Sequence, residues 1–257
     1  MTVSLLPEFA IAFVLVFARI GTMMMLVPGL AERTTPVRVR VGLAVLVVFL
    51  VLPFVRAGMP KTLQDLPMVV RLLIGELLVG FTLGLSARFM MSSLQTAGVL
   101  IAQQMSLAFT MTLDPTHGDQ GQSASISNFL LLLAISLILA TNLHHVALMG
   151  IVDSYRSFAP GQVPETGDAA ELALSIAAMS FAVGLKLSAP FLVFGLVFNV
   201  GLGILSRMMP QLQVFFLAMP ASILLGTIIF MLVLSLMMDG FLQSAARVLS
   251  TVFPGAS

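Results

Sequence analysis

A chain of 257 residues with 59% hydrophobic and 9% charged side chains cannot dress a soluble globule, whose composition runs at about 45–50% apolar and about 25% charged. A mean hydropathy of +1.09 and a net charge of +1 exclude a cytosolic enzyme, a disordered chain and a basic nucleic-acid binder. The absence of Cys excludes disulfides, thiolate metal sites and cysteine nucleophiles, and what remains is a polytopic membrane protein.

The N-terminus, MTVSLLPEF, has no Lys or Arg ahead of its apolar run and carries Glu8, so the first segment is expected to be retained and not cleaved as a signal. That segment runs from about Phe9 to Leu30, with Arg19 inside it and Pro28-Gly29 near its end. The polar loop AERTTPVRVR follows, and then residues 41–55, about 22 Å of helix and short for a hydrocarbon core of about 30 Å. After RAGMPKTLQD come two further segments, 66–87 with Arg71 and Glu76, and 89–113 with no charge. The polar stretch DPTHGDQGQSAS precedes an apolar run at 128–152. An acidic loop spans 153–171, followed by 172–206 around Lys186 and Pro190 and by 208–240 with Pro210 and Pro220. Proline fits a first helical turn and disrupts an interior, so a break is expected near Met219-Pro220, and a kink or division at Pro190. The total is six or seven helical segments in one membrane unit.

Orientation is not settled by the positive-inside rule. The loops at 31–40 and 56–65 hold five of the twelve Lys and Arg, and both cannot be cytoplasmic if 41–55 crosses once. Either 41–55 is one arm of a hairpin or partners decide the topology. Trp is absent, Tyr occurs once and Phe 19 times, so the usual belt of interfacial aromatics is missing. Compositional drift accounts for this, as do helices that face protein in place of lipid.

The segment 89–113 carries the clearest pattern. At 100° per residue, Ser92, Gln95, Thr96, Gln103, Ser106 and Thr110 share one face, and Met90, Leu94, Ala97, Ile101, Met105 and Ala108 share the opposite one. An uncharged polar stripe suits either a water-filled path or a hydrogen-bonded helix interface. Beyond it the chain leaves through Phe109, Met111 and Leu113 and turns at Asp114-Pro115, because the residue before Pro avoids the α region. Flexible apolar side chains on such a segment suit either a pore seal or an ordinary solvated loop.

Ions inside apolar segments are functional candidates, here Arg19, Arg71, Glu76, Arg88 and Lys186. Arg71 and Glu76 lie about 140° apart round a helix, so each needs a partner elsewhere. His144 and His145 are adjacent, which is the wrong spacing for a chelating pair on a helix. No nucleotide, hydrolase, kinase or zinc motif occurs, so neither an enzyme nor a cofactor or metal site is expected.

Taken in order, PGLAERTTPVRVRVGLA (28–44), IGELLVGFTLG (74–84), TAGVLIAQQMSLAFTMTLDP (96–115), NLHHVALMGIVDSYRSFAPG (142–161) and APFLVFGLVFNVGLGILSRMMPQLQVFFLAMP (189–220) resemble the FliR family of the flagellar type III export apparatus, called SctT in injectisomes. The resemblance implies an all-α, membrane-associated set of kinked helical hairpins. It implies a FliP-like half over about 1–155 and a FliQ-like half over about 156–257, and an assembly with FliP-like and FliQ-like subunits that sits largely above the membrane plane. FlhB-like and FlhA-like components, membrane lipid and unfolded flagellar substrates are the other implied partners, and the bacterial inner membrane at the flagellar basal body is the implied location. The family's plug falls on Gln104, Met105, Phe109, Met111, Asp114 and Pro115, with Leu113 beside them. Three departures occur: Ser106 stands where the family pattern has Gly, Thr112 where an aromatic is common, and Leu143 where the family has Gly. On this reading the polar stripe lines or supports a conduit, and Arg38, Arg40, Arg71, Glu76 and Lys186 contact neighbouring subunits. The rival is a secondary transporter of small solutes, which favours internal repeats, and no convincing repeat is found. A scaffold without pore contact is the third reading.

Overall fold

The computed structural model describes residues 5–27, 36–55, 66–107, 122–158, 166–209 and 214–252. Among these residues there are seven helices and no strand: α1 (Leu5–Leu26), α2 (Val37–Val55), α3 (Leu66–Gln104), α4 (Gln122–Ala140), α5 (Leu143–Ser157), α6 (Thr166–Met208) and α7 (Val214–Val252). Five of them, α1, α2, α3, α6 and α7, are long and apolar enough to cross a membrane. The chain is all-α and membrane-associated, as its composition requires.

Element boundaries differ from the sequence expectation in four places. The expected division between 66–87 and 89–113 is absent: one helix of 39 residues runs unbroken from Leu66 to Gln104. Exposed Arg88 interrupts the hydropathy but not the backbone hydrogen bonding, and a helix ends only where the latter fails. The run at 128–152 is cut in two, because Asn142 adopts φ 59° between α4 and α5. Asn tolerates the left-handed region better than most residues.

The short segment at 41–55 starts instead at Val37, giving 19 residues or about 28 Å, close to a full crossing. Arg38 and Arg40 therefore belong to the first turn of α2, not to a loop. Finally, α6 continues through Pro190 and α7 through Pro220. The expected break at Met219-Pro220 is absent: one proline costs one ladder hydrogen bond and bends a helix without having to end it.

The chain divides into two units. The first holds α1, α2, α3 as far as Met90, α5, α6 as far as Ala178, and α7 from Ala246. Here α2 lies against α1, with Phe13 and Phe49 at 5.2 Å between ring centroids. Leu15, Val16, Ile20, Ala44, Val48 and Leu83 are buried between the helices. Gly80 and Gly84 lie one turn apart on α3 and give α1 its close approach. A Cβ at Gly80 would overlap the Arg19 carbonyl, and one at Gly84 would stand 2.8 Å from the Leu26 Cβ. Small residues four apart are a recurrent contact of membrane helices.

The second unit holds α3 from Met91, α4, α6 from Met179, and α7 as far as Ala245. Leu94, Ala97, Ile101, Ala102, Leu130, Ala134, Phe191 and Phe241 are its most buried apolar side chains. Phe230 bridges Phe129 and Phe191, with ring centroids 6.0 and 6.1 Å away. At Gly98 a Cβ would stand 2.6 Å from the Ser127 Cα, so α4 reaches the backbone of α3. There the Ser127 Oγ donates to the Gln95 carbonyl at 3.1 Å.

Candidate functional site

Within the second unit, the C-terminal end of α3 is held by α6 and α7. The last regular bond runs from Met105 N to Ile101 O at 2.9 Å, and a tighter one from Ser106 N to Gln103 O at 3.1 Å. Ser106 itself takes φ 57°. A left-handed residue after a helix is common, but glycine usually fills it. For an L-residue with a Cβ the conformation costs about 1–2 kcal/mol. Two hydroxyl bonds oppose that cost. Ser106 Oγ donates to Ser222 Oγ at 3.2 Å, and Ser222 Oγ donates to the Gln104 carbonyl at 3.3 Å. That carbonyl is one of those a helix end leaves without an intrahelical donor. Each neutral hydrogen bond contributes a net of about 0.5–1.5 kcal/mol, so bond and strain nearly balance.

Two glycines complete the seat. A Cβ at Gly195 of α6 would overlap the Gln104 side-chain amide, and one at Gly226 of α7 would stand 2.6 Å from the Met105 Cγ. Ser222 and Gly226 are one helical turn apart, so a single small-residue face of α7 receives both Ser106 and Met105. Beside this seat lies a cavity of about 190 Å³ lined by Gln103, Gln104, Ser106, Phe198, Asn199, Leu202, Ala218 and Met219.

The polar stripe splits along α3. Gln103 and Ser106 line the cavity, together with Gln104. Ser92 and Thr96 are instead engaged in helix packing. Thr96 Oγ1 donates to the Ser92 carbonyl at 3.1 Å, and a Cβ at Gly184 of α6 would stand 3.2 Å from the Thr96 Cβ. Gln95 is exposed, whereas Met90, Leu94, Ala97, Ile101 and Met105 opposite are buried. Thr110, Phe109, Met111, Leu113, Asp114 and Pro115 lie outside the described residues.

In the first unit, the charges are arranged quite differently from one another. Arg19 is 1% exposed and Glu76 2%, and Arg19 Nε meets Glu76 Oε2 at 2.6 Å. The same guanidinium donates to the Ser154 carbonyl from Nη1 and to the Phe158 carbonyl from Nη2, both at 3.1 Å. Its Cζ lies 4.0 Å from the centroid of the Tyr155 ring. One side chain thus joins α1 to α3 and to the end of α5. The planar five-donor fork of Arg suits this role, and Lys could not fill it. Tyr155 Oη is buried without a hydrogen-bond partner. Burial raises the phenol above its ordinary range, opposed by the Arg19 charge and reinforced by that of Glu76.

Glu76, read from the sequence as a subunit contact, has its partner inside the chain. Arg38, Arg71 and Lys186 are exposed and Arg40 is half-buried. The sequence reading missed Ser222, Gly195 and Gly226 altogether. The spacing Ser222-x-x-x-Gly226, like Gly80-x-x-x-Gly84, was the available signal. No group of His, Asp and Glu among the described residues could hold a metal ion.

An all-helical chain with five crossing-length apolar helices and a buried ion pair defines a polytopic membrane protein. Residues 10–248 match the family described as bacterial export proteins, family 1. The chain is similar to the flagellar biosynthetic protein FliR of Caulobacter vibrioides, at 39% identity over 224 residues covering 86% of this chain and 87% of that protein. It is 33% identical to that of Bacillus subtilis, with 87% and 86% covered, and 31% identical to that of Escherichia coli strain K12, with 77% and 75% covered. The chain belongs to the FliR family of bacterial export proteins. Ser106, which the sequence reading took to stand in place of a Gly, is the left-handed residue, a conformation that glycine adopts without strain.

Proposed function

We propose that this chain is a non-enzymatic core subunit of a flagellar type III export gate in the bacterial inner membrane. It joins FliP-like and FliQ-like subunits to form the conduit for unfolded flagellar proteins, with FlhB-like and FlhA-like components nearby. The FliP-like half is about 1–155 and the FliQ-like half about 156–257. Gln104 and Met105 form the base of a plug that continues through Phe109, Met111, Leu113, Asp114 and Pro115. The side chains on the cavity side of α3 border the conduit.

The observation that carries the assembly is helix length. The helices α3, α6 and α7 have 39, 43 and 39 residues, which is about 58–65 Å of helix each at 1.5 Å per residue. The hydrocarbon core is about 30 Å thick. Yet α3 is apolar along its whole length, and α6 and α7 along nearly all of theirs. Val193, Leu196, Val197, Val200, Ile204 and Met208 of α6 are exposed on the single chain. Apolar surface that outruns the bilayer has to be covered by protein, as do the exposed Arg88 and Lys186 within these helices. Co-expression with FliP-like and FliQ-like proteins, followed by purification on a tag carried by this chain, tests the reading. The expected result is one defined complex containing all three. A stable, monodisperse monomer that leaves both partners behind refutes it.

A further inference from the structure

Ser106 and Asn142 are the two non-glycine residues with positive φ among those described. Asn142 is of a type that tolerates the conformation; Ser106 is held in it by another helix. The contact is made of neutral groups only: Ser106 Oγ to Ser222 Oγ at 3.2 Å and Ser222 Oγ to the Gln104 carbonyl at 3.3 Å. Both bonds are long for hydroxyl donors. Met105 seats on Gly226 through dispersion contacts alone, which are individually weak. A contact meant to be permanent in an apolar setting would be built like that of Arg19, with opposite charges and several donors. The α3 terminus carries instead a strained backbone residue, and the bonds opposing the strain are of comparable size. Strain and opposing bonds of comparable size leave only a small net free energy holding the contact, which is what a switch needs.

We propose that Ser106 and Ser222 form a releasable latch. Closed, it fixes the last turn of α3 on α7 and so sets the direction in which the chain leaves Leu107. Open, it lets Ser106 relax out of the left-handed region while a substrate passes. The inference rests on the reading of this chain as an export-gate subunit and adds to it a specific pair of positioning residues on two helices.

The chain contains no Cys, so a designed pair is its only disulfide. The hydroxyl oxygens are 3.2 Å apart, which brings thiols at the same two positions into contact. The variant S106C/S222C is made in the full chain, co-expressed with its gate partners, and only complexes that co-purify are scored. Failure of the export-gate reading therefore shows separately, as a lack of co-purification with the unsubstituted chain. With mild oxidant the disulfide is expected to form, read by mass spectrometry of the linked peptides. Secretion of flagellar protein should then fall at least tenfold and return on adding reductant. Each single-cysteine variant should export normally under the same oxidant. A disulfide that forms while export continues overturns the latch, because opening is then unnecessary. Failure to form the disulfide in an assembled complex also overturns it, because the contact is then absent. If the double variant does not assemble, S106A and S222A decide. Each deletes the hydroxyl pair and keeps a Cβ at position 106, so the strain stays while the bond opposing it is lost. Both are expected to assemble and to raise the resting ion permeability of the membrane several-fold, and unchanged permeability in both overturns the proposal.

Discussion

Replacing Arg19 by Ala is expected to be among the most destabilising single changes in this chain. The substitution leaves the Glu76 carboxyl 2% exposed with its guanidinium partner gone. It also removes the guanidinium donor of the Phe158 carbonyl and one of the two donors of the Ser154 carbonyl, which keeps the Phe158 N–H at 2.9 Å. Breaking a buried pair by removing one partner costs about 3–5 kcal/mol, and loss of its guanidinium donor at the Phe158 carbonyl adds up to about 1–3 kcal/mol. At about 2–4 °C per kcal/mol for a chain of this size, R19A should lose at least about 6 °C of thermal stability. R19K should fall in between, because one ammonium cannot serve a carboxylate and two carbonyls in the same geometry. E76Q should be milder than R19A, since Arg19 keeps both carbonyls and an amide oxygen. R19M/E76L removes both charges and should recover at least half of the R19A loss, leaving only the Phe158 carbonyl without its guanidinium donor. The chain has no Trp, so the assay is heating of a fluorescently tagged chain in its complex, followed by gel filtration of what remains soluble. If R19A melts within 1 °C of the parent, or R19M/E76L is no better than R19A, the buried pair is not what holds α1, α3 and α5 together.

Further outcomes follow from the same structure. G80A and G98A should each destabilise by about 1–3 kcal/mol, since their Cβ atoms meet the backbone of Arg19 and of Ser127; G201A, with open space around it, should be neutral or slightly stabilising, and equal effects at all three would dismiss the close-approach account in the same melting assay. Arg38 and Arg40 sit in the first turn of α2, where no acidic residue offsets them and positive charge opposes the helix dipole by about 0.3–1 kcal/mol. Changing both to Gln removes that opposition and should weaken a contact with an acidic partner surface or anionic headgroups, and normal assembly with normal motility discards that contact. Deleting residues 109–118 should leave the complex assembled and the membrane leaky to small ions; unchanged ion permeability in an assembled deletion variant refutes the plug.

Class was legible in the sequence because it depends on summed properties. Too few charges to face water, apolar runs of crossing length and a family-ordered set of segments needed no coordinates. The polar and apolar faces of α3 were legible too, because helical periodicity places Leu94, Ala97 and Ile101 opposite Gln95 and Gln103 whatever packs against them. The sequence signals failed at boundaries: hydropathy divided α3 at a charge and joined α4 to α5 across Asn142, and proline suggested a break at Met219-Pro220 that α7 does not have. Charge and proline change the cost of a helix, but capping and tertiary packing decide where it ends. Contacts between segments distant in sequence were out of reach altogether. Arg19 and Glu76 are 57 residues apart and Ser106 and Ser222 are 116 apart, and nothing local marks either pair. The sequence by itself determined an apolar, all-helical chain of the FliR family and the face that α3 turns inward. The tertiary structure alone decided that Glu76 is neutralised within the chain and that Ser106 is strained and held by α7, because partner choice for a buried polar group is set by which helices meet, at the glycines that let them touch.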